Sequence, residues 1–272
     1  MPKPRALEII RPNPAPGRLR HAVFDFDGTL SLVRAGWPEV MAGLMLEVLR
    51  ATPAVAETEA QLRAQVAQPI FGLAGRPTLL QMQWLADEVG RRGGAPRSAE
   101  AYKRDYLVRL RQRAGGLAAL QAGTLLAERL RVPGALEFVE RLHARGVTCY
   151  IASGTDEAAV REEAAALGLA PLMADIRGAR DDGPEAKRAL IERVSAEHRL
   201  GPGELAVFGD GSAEMEYARA VGALAIGVAS DETPPGGLDE RKRGLLLAAG
   251  ADAIIPDFSA PAPLLAYLWP AE

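Results

Sequence analysis

A chain of 272 residues with 48% hydrophobic and 25% charged residues is long enough for one large domain or two unequal ones, and too apolar for a disordered protein. Its formal net charge of -3 lacks the basic footprint that neutralises a nucleic-acid backbone, so no nucleic-acid partner is expected. No apolar run approaches the roughly 20 residues of a membrane-spanning helix, and no membrane partner is expected either.

The N-terminal segment MPKPRALEIIRPNPAPGRLR is basic and proline-rich, without a long apolar core or a small-residue cleavage site. A cytoplasmic location is therefore expected. The single cysteine, Cys149, can form no intramolecular disulfide and lies in the apolar run VTCYIAS, where it reads as a buried structural thiol. The three histidines, His21, His143 and His198, show no paired spacing, and with one cysteine they cannot assemble an ordinary zinc site. Any metal should be hard and oxygen-bound.

In chain order, Leu19 to Phe26 is rich in Val and Phe and breaks at Gly28, as a buried strand ending in a turn does. From Val33 to Arg131 the chain is helical in character, interrupted by Gly/Pro breaks. Pro133 to Arg145 has apolar residues at helical spacing, with Gly146 placed to end the helix. Gly146 to Gly154 reads as the next strand, followed by helices over Asp156 to Leu167 and Glu185 to His198. Strands over Glu204 to Gly211, Gly222 to Ser230 and Ala251 to Asp257 alternate with helices over Glu214 to Ala220 and Glu240 to Ala249. That alternation predicts an α/β fold, a doubly wound parallel sheet with a Rossmann-like core over residues 1–32 and 133–272 and an inserted α-helical domain over 33–132.

In open α/β sheets ligands bind beyond the carboxyl ends of the strands. Those ends present Asp25 and Asp27, then Ser153, Gly154 and Thr155, then Asp210 with Glu214 on the following helix. Each has a plainer explanation alone: two acids after a strand make Asx turns, and an acid after a strand caps the next helix. Three carboxylates and a hydroxyl-glycine turn converging on one edge strain such separate explanations. Lys187 lies near the start of its helix, where the dipole disfavours a cation. A solvated lysine is the default there, but a compact point charge also suits a phosphoryl oxygen or crowded carboxylates. Arg180 and Arg188 are its rivals.

DFDGT, IASGT, the Lys187 region and FGDGSAE occur in the order and setting of the four motifs of the haloacid dehalogenase superfamily, which the chain resembles. The helical insert looks like a C1-type cap. The resemblance implies that Asp25 is a nucleophile forming an aspartyl-phosphate and Asp27 the general acid and base. It further implies that Ser153 and the Gly154 amide hold phosphoryl oxygens and that Lys187 neutralises charge. Mg²⁺ would be held by Asp25, the Asp27 main-chain carbonyl and Asp210. Glu214 stands where an aspartate is commoner and would reach the metal directly or through water.

The chemistry accounts for these residue types. An ionised carboxylate and a phosphate repel each other, so attack needs positive charge between them, which Mg²⁺, Lys187 and backbone amides supply. Asp27 has to carry a proton to the leaving oxygen and take one from water afterwards. By resemblance, its presence points to phosphate esters rather than halides. The expected activity is that of a Mg²⁺-dependent phosphatase, a phosphoric monoester hydrolase acting on a small phosphorylated metabolite such as a sugar phosphate. A phosphotransferase or phosphomutase using the same aspartyl-phosphate is the alternative, with a non-catalytic phosphate-binding module behind it. Within the insert, FGLAGRPTLLQMQW offers Arg76, Thr78 and Gln81 as substrate contacts, against the plainer reading that they cover surface. Asp231 and Glu232 either extend the acidic edge or, following a strand and preceding Pro-Pro, serve as loop residues, which is the plainer reading; DERKRG reads as a solvated helix start, with no assigned chemistry.

Overall fold

The computed structural model describes residues 6–54, 57–113, 115–180, 185–233 and 235–270. The first five residues of the predicted 1–32 segment lie outside them. The chain divides into two compact units, Met1–Ala35 with Gly116–Glu272, and Gly36–Gly115.

The first unit opens with β1 (Glu8–Ile9) and β2 (His21–Phe24). The second holds α1 (Trp37–Arg50), α2 (Glu59–Gly72), α3 (Thr78–Arg91) and α4 (Ala99–Arg113). The chain then returns through α5 (Gly116–Gln121), α6 (Ala135–His143), β3 (Thr148–Asp156), α7 (Glu157–Ala166), β4 (Met173–Ala179) and α8 (Ala186–Glu197). It ends with β5 (Leu205–Gly209), α9 (Ser212–Ala220), β6 (Leu224–Val228), β7 (Ser230–Glu232), β8 (Pro235–Leu238), α10 (Glu240–Ala248), β9 (Ala253–Ile255) and α11 (Pro261–Leu268).

Seven strands form one sheet in the order β1-β9-β6-β5-β2-β3-β4, and β7 with β8 makes a separate hairpin. All pairs in the large sheet are parallel except β1 with β9. The inner strands are near-continuous apolar runs because both faces are covered, as crossover helices require. In β2, Ala22 and Phe24 enter one apolar cluster and Val23 the other; Ala206 and Phe208 of β5 part from Leu205 and Val207 in the same way. On the first face α6, α7 and α11 contribute Phe138, Val160 and Leu264. On the second, α8, α9 and α10 contribute Leu190, Met215 and Leu246. Phe24 and Phe208 stack with ring centroids 4.6 Å apart, a contact contributing roughly 0.5–1.5 kcal/mol beyond the area it buries. This rigid centre fixes the strand ends.

Residues 116–132, read from sequence as part of the helical insert, group with the sheet unit instead. Leu117, Leu120 and Leu125 pack against the first apolar cluster, and the returning chain is zipped to the departing one. The Leu32 amide donates to the Leu130 carbonyl at 2.8 Å and that of Val132 to Leu30 at 3.1 Å. The second unit has its own core, built from Leu44, Met45, Val66, Leu85 and Tyr106 among others. Thr58 caps α2 reciprocally with Gln61. Among the described residues, no helix is long and apolar enough to cross a membrane.

Candidate active site

The strand order reverses between β2 and β5, where an open α/β sheet forms its ligand crevice. Beyond Phe24 the ladder runs one residue further, the Asp25 amide donating to the Phe208 carbonyl at 2.8 Å. Phe26 returns to the first apolar cluster, so the alternation of β2 turns Asp25 away from that face. The chain then folds back tightly, with the amides of Leu30 and Ser31 both donating to the Phe26 carbonyl, at 2.9 and 2.8 Å. Gly28 sits in this turn at φ 79°, where a Cβ would lie 2.2 Å from Asp210 Oδ2. Both the left-handed backbone and the approach of Asp210 require glycine.

Asp25 is 3% exposed. Lys187, in the first turn of α8 and 2% exposed, places its Nζ 2.7 Å from Asp25 Oδ1 and also donates to Glu214 Oε1. The other Glu214 oxygen accepts the Gly211 amide at 3.1 Å. Glu214 lies over Gly209, where a Cβ would come within 2.3 Å of its Cγ. Both Glu214 oxygens are thus engaged within the protein, one by Lys187 and one by the start of α9. Burial pushes the Asp25 carboxyl well up; Lys187 pulls against it, while Glu214 and Asp210 add like charge. Burial also opposes the Lys187 charge, but Asp25 and Glu214 outweigh it and hold the ammonium above its ordinary value.

Asp27 has different partners. Its Oδ2 accepts from the Thr155 hydroxyl at 2.8 Å and, at 3.5 Å, from that of Ser153; its Oδ1 accepts from Arg34 Nη1 at 3.1 Å. Ser153 is buried, and its hydroxyl accepts the Thr155 amide at 3.0 Å; Gly154 is half-buried between them. Arg34 also forks onto Glu163 of α7, at 2.8 and 2.7 Å. Burial pushes Glu163 up to about 7 against the pull of Arg34.

Asp210, at the end of β5, meets a second lysine. Lys242 Nζ is 2.8 Å from Asp210 Oδ2 and 2.6 Å from Glu232 Oε1. Asp239 caps α10 by accepting the amides of Arg241 and Lys242 at 2.8 and 3.0 Å, which sets Lys242 in the first turn. The β7 hairpin is fastened to the turn after β2 by the Ser230 hydroxyl, which donates to the Gly28 carbonyl at 2.6 Å. Burial opposes the Lys242 charge, yet Asp210 and Glu232 hold it above the usual lysine value. Of the two readings of Glu232, the contacts favour an extension of the acidic edge over a plain loop role, and the reading of DERKRG as a solvated helix start is corrected at Lys242.

The remaining expected contacts, Arg76, Thr78 and Gln81, belong to the helical unit. Arg76 and Thr78 are half-buried there. Gln81 is buried and donates through Nε2 to the Ile70 carbonyl at 3.0 Å, so it ties α3 to the end of α2.

The donor chemistry beyond β2 and β5 fits a hard cation. Among the described residues, the carboxylates of Asp25, Asp210, Glu214 and Glu232 are paired with two ammonium groups, those of Lys187 and Lys242. Among the described residues no group of three or more His, Cys, Asp and Glu side chains is arranged to hold a metal. Mg²⁺ asks for less, since it binds through one or two carboxylates and keeps water and phosphate as its other ligands. Asp25 and Asp210, beyond the ends of adjacent strands, are two carboxylates of that kind.

The sequence profile of the haloacid dehalogenase-like hydrolases matches residues 19–222. The chain belongs to that family. This haloacid dehalogenase-like hydrolase matches no curated protein. Among solved structures, it is similar to a predicted phosphoglycolate phosphatase from Haemophilus somnus 129pt, at 17% identity and a TM-score of 0.59 over 91% of this chain and 98% of that one. It is similar to a candidate beta-phosphoglucomutase from Bacteroides vulgatus at 16% identity and a TM-score of 0.60, over 93% of this chain and 91% of that one. A predicted phosphatase from Clostridium acetobutylicum matches at 19% identity and a TM-score of 0.58, over 91% and 96%. These likenesses establish a shared fold.

Proposed function

We propose that this enzyme is a Mg²⁺-dependent phosphatase of a small phosphorylated metabolite, a sugar phosphate being one such substrate, working through an aspartyl-phosphate on Asp25. The observation that carries this reading is that two neighbouring aspartates have separate surroundings. Asp25 is buried against the Lys187 ammonium at 2.7 Å, while Asp27 is half-buried between the Thr155 hydroxyl and Arg34. One suits an anionic nucleophile and the other a proton carrier.

In the first step an Asp25 carboxylate oxygen attacks phosphorus, the ester P–O bond breaks, and Asp27 gives its proton to the departing oxygen. In the second, water attacks phosphorus, its proton passes to Asp27, and Asp25 is released with inorganic phosphate. Lys187 holds the Asp25 carboxylate in place and offsets charge on the phosphoryl oxygens, to which Ser153 and the Gly154 amide donate. Asp25, Asp210 and the Asp27 main-chain carbonyl would hold Mg²⁺. When bound, it supplies the positive charge that keeps Asp25 ionised and draws the phosphoryl group toward it.

A panel of metabolite phosphates assayed with and without Mg²⁺ tests the reading, scoring free phosphate and isomerised sugar phosphate. Phosphate release that needs Mg²⁺ and disappears in Asp25→Asn is the expected result. Isomerisation without release would instead make the enzyme a phosphomutase, which passes the phosphoryl group to a sugar hydroxyl. Undiminished turnover by Asp25→Asn, or after thorough chelation, would overturn the mechanism.

A further inference from the structure

We propose that Arg34 is a positioning residue for Asp27 and that Glu163 fixes Arg34 for this purpose, an assignment that rests on the phosphatase reading above. Asp27 lies past the last rung of β2, so the sheet does not orient its side chain. Its two oxygens are clamped from opposite partners, Oδ2 by the Thr155 hydroxyl at 2.8 Å and Oδ1 by Arg34 Nη1 at 3.1 Å. A proton donor works only within hydrogen-bond reach of the departing oxygen, and an error of about 1 Å in such a group is worth roughly 10²-fold in rate.

Arg34 is itself immobilised. Its Nη1 is shared between Asp27 Oδ1 and Glu163 Oε2, the latter at 2.8 Å, and its Nη2 reaches Glu163 Oε1 at 2.7 Å. A planar fork held at both prongs has little freedom to swing. Glu163 supplies the independent argument. It is 4% exposed on α7, flanked by Val160 and Ala164, which are fully buried in the core. A buried ion pair adds little net stability over apolar side chains of similar volume in place of both its partners. What Glu163 does provide is a fixed plane for the guanidinium that touches Asp27.

A rival role is purely structural, the pair pinning the chain between Leu32 and the helical unit that begins at Gly36. Leaving-group dependence separates the two. A p-nitrophenolate departs without a proton, whereas an alkoxide needs one, and kcat/KM reports the steps through P–O cleavage. The Mg²⁺-loaded wild type, Arg34→Met, Arg34→Lys, Glu163→Gln and Asp27→Asn are compared on beta-glycerophosphate and p-nitrophenyl phosphate.

For Arg34→Met, kcat/KM on beta-glycerophosphate should fall about 10²-fold while p-nitrophenyl phosphate changes by less than about threefold. Glu163→Gln should show the same selectivity at about 10-fold, and Arg34→Lys should recover part of the loss. Adding Arg34→Met to Asp27→Asn should cost nothing further, because the two act as one unit. Equal losses on both substrates, or none on either, would overturn the assignment. If Arg34→Met does not fold by circular dichroism, Glu163→Gln and Arg34→Lys decide alone. Failure of the wild type on both phosphates, or undiminished turnover by Asp25→Asn, would instead remove the phosphatase reading on which the assignment stands.

Discussion

Two lysines sit side by side in the charge pattern of this site, and they are not equivalent. Lys187 and Lys242 each occupy the first turn of a helix, where the dipole opposes a cation, and each lies between two carboxylates that overcome that opposition. The units divide the strand-end aspartates between them: Lys187 takes Asp25 from β2, and Lys242 takes Asp210 from β5. Their burial differs, at 2% side-chain exposure for Lys187 and 13% for Lys242. The enclosed lysine touches the proposed nucleophile, and the more open one touches the carboxylate proposed for Mg²⁺. Lys187 should therefore govern chemistry and Lys242 the affinity for the cation.

Lys187→Met is the strongest way to break this comparison. It removes a charge from the proposed phosphoryl site and should lower kcat about 10³-fold. It also leaves Asp25 and Glu214 buried without their cation, at a stability cost of about 3–5 kcal/mol. Phosphate release and urea unfolding measure the two effects separately. Gly28→Ala comes next and acts on the other unit, since its Cβ would meet Asp210 Oδ2 at 2.2 Å and Glu232 Oε1 at 3.0 Å. Displacing Asp210 should lower turnover about 10²-fold and weaken Mg²⁺ binding measured by calorimetry, with the Lys187 pair intact.

Lys242→Met should change kcat by less than about 10-fold, a smaller loss than for a charge that meets the reacting group. Its signature is a tighter cation: Asp210 no longer carries a competing ammonium, so the Mg²⁺ dissociation constant should fall in a calorimetric titration. If Lys242→Met lost as much turnover as Lys187→Met and left Mg²⁺ affinity unchanged, the division between the two units would be wrong.

The same pair shows what could be read without coordinates. A lysine in a first turn is an anomaly against the helix dipole, and it marks Lys187 in the sequence; the identical anomaly at Lys242 was hidden among the mixed charges of DERKRG. Asp25, Asp27 and Asp210 were legible because they interrupt apolar strands at the edge where ligands bind. Arg34 and Glu163 were not, since their partners arrive from other elements and nothing local separates a buried ion pair from a solvated one. The fold divides similarly. Strands β2, β3, β5, β6 and β9 announce themselves as apolar runs, whereas the edge strand β4, MADIRGA, carries Asp175 and Arg177 and falls silent. Residues 116–132 look helical like the insert, and only their packing against the sheet core assigns them to the first unit.

His21, at the opposite end of β2 from Asp25, sharpens the rule that a buried cation here needs two anions. It is 5% exposed, stacks on His198 with ring centroids 4.3 Å apart, and places Nδ1 3.2 Å from the Tyr150 hydroxyl. Burial lowers it from 6.5 to about 4, with His198 and Arg20 acting in the same direction and Glu204 alone against them. Unlike the lysines, it is neutral in the folded protein near neutral pH. Between pH 4 and 6.5 the unfolded chain binds the extra proton at this site, so the His21 contribution to stability rises with pH across that window and is flat above it. Because raised carboxylates such as Glu163 titrate with the opposite slope, the measurement is a difference. Urea unfolding of wild type and His21→Phe is followed from pH 4 to 7, and wild type should lose stability relative to the variant as pH falls below 6.5. A difference that stays constant with pH would mean that folding leaves the proton affinity of His21 unchanged, and that burial here is not enough to discharge it.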